Sequence, residues 1–111
     1  MLKLRINPVA LQDLKEIKLY ITDELCNPEA ALKVVRNIIK TYEGLKELPL
    51  IGKKLSAVID VKTDFRYCIS GSYLIFYRVD SEYVSIYRIL YGQRDYARIL
   101  FGDLPEEDTE E

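Results

Sequence analysis

Histidine is absent from this chain of 111 residues. Without imidazole there is no Ser-His or Cys-His triad, no histidine acid–base catalysis at neutral pH and no histidine zinc ligand. Cysteine is scarce. Cys26 and Cys68 stand far apart with no CxxC spacing. They are expected to be two reduced, buried small residues, with a disulfide or a reactive thiol as the alternative. No apolar run approaches the roughly 18 residues of a membrane span. The segment Met1–Ile6 alternates apolar residues with Lys3 and Arg5 and forms no signal-peptide core. A cytoplasmic location and no membrane partner are therefore expected. Paired catalytic carboxylates, a Gly-rich phosphate loop and metal-ligand spacings are also missing. No metal site and no cofactor are expected, and the residues favour a binding module over an enzyme.

What is present is an ordinary globular composition, 49% hydrophobic and 31% charged. At this length that is enough for one real core, and it excludes disorder over most of the chain. The net charge of −2 is unevenly placed, because Asp103, Glu106, Glu107, Asp108, Glu110 and Glu111 all fall in the last nine residues. Residues 1–102 carry 16 bases against 12 acids. The expectation is a single, modestly basic domain over 1–102, suited to an anionic partner, and an acidic, mobile tail over 103–111.

Leu2, Leu4 and Ile6 alternate with charge and read as a first strand. Asn7-Pro8 then gives an N-cap with proline at the first helical position, and Asn27-Pro28 repeats it. Ala10, Leu14, Ile17, Ile21 and Leu25 mark one helix face, and Ala31, Val35, Ile38, Tyr42 and Leu45 a second. Two helices, about 8–25 and 28–47, joined by so short a connection form an αα-hairpin. Pro49 and Gly52 stop the second. Residues 53–64 read as a short strand or an ordered loop. Arg66–Ser70, Tyr73–Val79 and Tyr83–Tyr91 are dense in Tyr, Ile, Val and Phe and read as three antiparallel strands, turned by Gly71-Ser72 and Asp80-Ser81-Glu82. A short helix or turn over 94–101 follows. The order β-αα-βββ-α gives an α+β fold, an antiparallel sheet with the helical hairpin packed on one face.

The turns set a register. Pairing Ser70 with Tyr73 and Asp80 with Tyr83 puts Arg66 opposite Tyr77, Cys68 opposite Ile75, Tyr77 opposite Ile86 and Ile75 opposite Arg88. Ile75, Tyr77, Val84, Ile86, Arg88 and Leu90 then face the helices. Leu74, Phe76, Arg78, Tyr87, Ile89 and Tyr91 form an aromatic opposite face, too apolar to be left bare, which a partner is expected to cover. Five of the seven arginines and seven of the nine tyrosines lie beyond residue 65. Arginine interleaved with tyrosine suits a protein or nucleic-acid interface, although strand propensity and solvated strand ends account for the same pattern. Asp95 is placed to cap the last helix or to pair with Arg94 or Arg98. Lys53-Lys54 reads as a solvated pair or a phosphate contact.

Tyr73-Leu74-Ile75-Phe76-Tyr77-Arg78-Val79 and Val84-Ser85-Ile86-Tyr87-Arg88-Ile89-Leu90-Tyr91-Gly92-Gln93-Arg94-Asp95 resemble toxins of the RelE/ParE superfamily. Ala10-Leu11-Gln12-Asp13-Leu14 with Ile17 and Tyr20, the Leu48–Gly52 break and Phe65-Arg66 agree with it, so the resemblance spans about residues 4–101. It implies the toxin of a type II toxin–antitoxin pair, closer to the ParE branch, held by a cognate antitoxin in a hetero-oligomer. Two activities occur in the superfamily: poisoning of DNA gyrase, and cleavage of mRNA in the ribosome. Leu74 stands where RelE-like nucleases commonly present an arginine, and Tyr91 where many ParE-like chains have histidine. Only Arg94 clearly matches a basic residue of the nuclease site. The resemblance therefore implies gyrase as the target, the ribosome and mRNA being the alternative, with a chain that binds antitoxin but no longer intoxicates as a third possibility. Antitoxin contacts are expected from Leu74, Phe76, Arg78, Tyr87, Ile89 and Tyr91, and target contacts from Arg88, Arg94, Asp95 and Arg98. If the chain were a ribonuclease, Arg78, Tyr87, Tyr91 and Arg94 would form its site.

Overall fold

The two helices begin where the Asn-Pro pairs place them. A computed structural model describes residues 1–102, and the acidic tail over 103–111 lies outside the described residues. The Asn7 side chain accepts a hydrogen bond from the Val9 N–H at 2.9 Å, and α1 runs over Pro8–Leu19. The helix then widens into a π-helical segment, Tyr20–Glu24, and the chain turns through Cys26 at φ 52. The Asn27 side chain accepts from the Ala30 N–H and starts α2, Pro28–Glu43, which tightens into a 3₁₀ turn at Gly44–Lys46. This is the expected helical hairpin. Leu25, expected in its core, is more than half exposed because it sits beyond the widened segment.

The strands are β1 (Lys3–Ile6), β2 (Lys53–Lys54), β3 (Arg66–Ser70), β4 (Tyr73–Val79) and β5 (Tyr83–Tyr91), with a closing helix α3 (Tyr96–Phe101). They form one sheet in the order β1-β5-β4-β3-β2. The fold is α+β, as expected, but the sheet is mixed: β1 runs parallel to β5, with Leu4 beside Val84, while the other pairs are antiparallel. Alternation in a sequence identifies a strand without naming its neighbour. Only the β5 edge is left for β1 once β2 has taken the edge at β3.

The register holds from Ser70/Tyr73 to Arg66/Tyr77 and from Val79/Val84 to Tyr77/Ile86. It then breaks. Phe76, not Ile75, lies opposite Arg88, and Ile75 pairs with Ile89, which leaves Tyr87 as the extra residue of a β-bulge. The residues just beyond the bulge are held by α1. The Asp13 carboxylate accepts from Arg88 Nε at 2.8 Å, from Arg88 Nη2 at 2.9 Å and from the Ile89 backbone N–H at 2.9 Å. Beyond the bulge the faces are exchanged. Ile89 and Tyr91, expected opposite the helices, face them, and Leu90, expected beneath the helices, faces away.

Two apolar layers result. Under the helical hairpin, Ala10, Ile38, Tyr42 and Leu45 meet Ile75, Tyr77, Val84, Ile86 and Ile89. Each fully buried aliphatic side chain there contributes roughly 1.5–3 kcal/mol. On the far side, Leu55, Phe76 and Leu90 are covered by Phe65, Tyr96, Ile99, Leu100 and Phe101. The aromatic face expected to await a partner is thus covered by the chain's own α3 and the Phe65 loop. Phe76 is wholly buried. The cysteines are free, as expected, yet not buried as expected: Cys26 is exposed at the helical turn and Cys68 half-buried near the sheet edge.

Candidate functional site

A groove of about 680 Å³ lies between the end of α1 with its π segment and the far ends of β4 and β5. Ile17, Tyr20, Ile21, Leu25 and Val34 form its helical wall, and Tyr73, Ile89, Tyr91 and Arg94 its sheet wall. Tyr20, Leu25 and Tyr91 are exposed along it. Tyr73 and Tyr91 meet edge to face, their centroids 5.9 Å apart, and burial raises the Tyr73 phenol above its usual titration range. The bulge makes this wall, because without it Ile89 and Tyr91 would point away from α1. An apolar groove between a helical hairpin and a sheet is the kind of surface that receives an amphipathic helix.

Arg88 stands behind the groove. Its guanidinium is bound by Asp13, which keeps it firmly charged. Expected as a target contact, Arg88 is committed internally and holds β5 against α1. Asp95 caps α3, accepting from the Arg98 N–H, and its carboxylate also lies 3.7 Å from Arg98 Nε. Arg94, Asp95 and Arg98 are exposed around the start of α3.

Arg78 and Tyr87 lie on the other side of the sheet. Arg78 makes an exposed, two-pronged ion pair with Asp64, at 2.7 and 3.0 Å, and this raises its basicity further. Its guanidinium lies 5.5 Å from the Phe65 ring centroid and 5.9 Å from that of Tyr87. Phe65 touches Tyr87 and Phe101 edge to face.

The six residues expected to bind an antitoxin are therefore not one surface. Leu74, Phe76, Arg78 and Tyr87 sit on the α3 side, with Phe76 inaccessible. Ile89 and Tyr91 sit on the helical side, with Ile89 buried. The four residues of a ribonuclease reading are divided likewise: Tyr91 and Arg94 at the groove, Arg78 and Tyr87 across the sheet. The groove's helical wall was missed as a surface. Its signal was an apolar stripe reaching Leu25, longer than one helix face needs to cover the sheet.

The family model described as the ParE toxin of the type II toxin-antitoxin system parDE matches residues 4–96. The chain belongs to the ParE toxin family. The solved structure of the chromosomal ParDE toxin–antitoxin system from P. aeruginosa shares the fold, with a TM-score of 0.69 at 24% identity over 82% of this chain and 96% of that one. No curated protein sequence matches the chain. Among the described residues of this ParE-family toxin, no helix is long and apolar enough to cross a membrane.

Proposed function

We propose that this ParE-family toxin acts by binding DNA gyrase, and that its cognate antitoxin neutralises it by seating a helix in the groove of Ile17, Tyr20, Leu25, Tyr73 and Tyr91. The observation that carries the target is the division of the candidate nuclease groups. Cleavage through a 2′-hydroxyl needs a base, an acid or cation at the leaving oxygen, and stabilisation of the phosphorane, all around one phosphate. Arg78 and Tyr87 stand on one side of the sheet and Tyr91 and Arg94 on the other. Each absent group costs ~10²–10⁴-fold, so little ribonuclease activity is expected. Binding to gyrase requires only an interface, and the exposed Arg94, Asp95 and Arg98 offer a polar one beside the groove.

The reading is tested by expressing the toxin without antitoxin. DNA breaks with an SOS response are expected, and mRNA ends mapped on ribosomes should match the uninduced pattern. Codon-positioned cuts with undamaged DNA would move the chain to the nuclease branch. For the antitoxin, Tyr20→Ala with Tyr91→Ala is expected to weaken the complex by about 2–4 kcal/mol in calorimetry. An unchanged affinity in the folded variant would place the antitoxin elsewhere.

A further inference from the structure

Three large aliphatic side chains, Leu48, Ile51 and Ile69, border one cleft at the sheet edge remote from β1, and a fourth, Leu50, is exposed on the same loop. Leu48, Leu50 and Ile51 come from the loop between α2 and β2, and Ile69 from β3; they are 60%, 62%, 65% and 59% exposed. A cleft of about 360 Å³ lies among them, lined by Leu45, Leu48, Ile51, Cys68 and Ile69. Isolated exposed aliphatics are ordinary, but three bordering one cleft, with a fourth on the same loop, are not.

The loop that carries them is held in place from below. The buried Tyr77 hydroxyl donates to the Pro49 carbonyl at 2.8 Å and accepts from the Gly52 N–H at 2.9 Å. Arg66 Nη1 donates to the Gly52 carbonyl at 2.8 Å and to the Leu50 carbonyl at 3.3 Å. Four hydrogen bonds thus fix a short loop whose side chains bury little of themselves. A fixed loop loses less freedom on binding, so its apolar area converts to affinity more fully. Beside it the sheet edge is open. Ser70 and Tyr73 close the hairpin, so Tyr67 and Ile69 turn their backbone groups outward. β2 pairs only with Arg66 and Tyr67, which leaves the Ile69 N–H and C=O beyond its end.

We infer that this shelf is a further part of the surface on which the toxin docks its protein target, added to the polar part at Arg94, Asp95 and Arg98, and that the segment docking on it carries aliphatic side chains and carboxylates. The inference rests on gyrase being the target. The charge on the rim selects the occupant. Lys53 and Lys54 are both exposed beside Ile51, against a single carboxylate, Glu47, at the other end of the loop. A second copy of this chain would bring two more lysines to the same edge, and like charges repel. An acidic segment would gain from them. Size separates the target from the antitoxin: the groove of about 680 Å³ at Tyr20 and Tyr91 suits a helix, whereas a cleft of about 360 Å³ on a fixed loop suits a partner that is already folded.

Two variants test it, Ile51→Lys with Ile69→Lys, and Lys53→Glu with Lys54→Glu. All four side chains are exposed, so circular dichroism and the melting temperature should stay close to wild type. Each variant is expected to need about tenfold or more toxin to inhibit supercoiling by purified gyrase, because interface anchors carry penalties of this size. Antitoxin affinity should stay within about twofold, since the groove is untouched. Undiminished inhibition by the folded variants overturns the shelf while leaving gyrase as the target. Loss of antitoxin binding with intact inhibition assigns the shelf to the antitoxin and overturns the inference. So does a wild-type dimer that the variants abolish. A wild-type toxin that leaves gyrase fully active overturns the target itself, an outcome distinct from all of these.

Discussion

Asp13 is 7% exposed, yet every demand of its carboxylate is met by Arg88 and the Ile89 N–H. Substitution Asp13→Ala strands a guanidinium and a backbone donor together. A loss of about 2–3 kcal/mol is expected in urea unfolding, with Asp13→Asn losing less because it still accepts from Ile89. Tyr77 plays the corresponding part at the loop below β2. Burial is the main cause that pushes its phenol from 10.0 up to about 12. A folded-state value raised above the unfolded one gives stability that is complete below the unfolded value and is lost as the pH climbs through the folded value. Alkaline unfolding of the wild type should therefore steepen between those two values, and Tyr77→Phe should lose that component. The same variant leaves the Pro49 carbonyl and the Gly52 N–H without their partner, a cost of about 1–3 kcal/mol measurable at neutral pH. Gly52 is required here by close approach: a Cβ would lie 2.8 Å from the Tyr67 carbonyl oxygen and closer still to the Tyr77 hydroxyl.

Among the elements, those made by local rules were legible. The Asn-Pro starts of α1 and α2, the Gly71-Ser72 turn and the Asp80 turn each depend on neighbours in the chain. The Asp80 carboxylate accepts from the Glu82 and Tyr83 N–H groups, and these bonds hold it below its usual range. The bulge was not legible, since the carboxylate bound beside it, Asp13, lies 75 positions before Arg88. One extra residue in β5 exchanged the faces of Ile89, Leu90 and Tyr91. That in turn moved the candidate site from the aromatic face to the groove. The coverage by α3 was missed for a related reason: Ile99, Leu100 and Phe101 are apolar, but a six-residue helix carries no periodicity long enough to show which layer it joins. Phe76→Ala is accordingly expected to act on stability, by about 3–5 kcal/mol, and to leave the intrinsic antitoxin contacts alone. Thermal melts alongside binding measurements separate the two effects.

At the scale of the molecule, the sheet divides the surface into territories. The helical side offers the groove, the start of α3 offers Arg94 and Arg98, and the β3 edge offers the aliphatic shelf. A toxin that works by contact can be silenced at one territory and act through another, whereas a nuclease would need its groups in one. The charge of the chain adds a further expectation. Truncation after Gly102 removes six carboxylates from a chain whose remainder is basic. Binding to random nucleic acid should then strengthen at low salt and fall away as salt rises. The most direct test of the central claim uses purified toxin, purified gyrase, ATP and relaxed plasmid. Supercoiled product should fall as toxin is added, cleaved plasmid should accumulate, and added antitoxin should restore supercoiling. Full supercoiling at every toxin concentration, with the same preparation cutting mRNA on ribosomes, would contradict it.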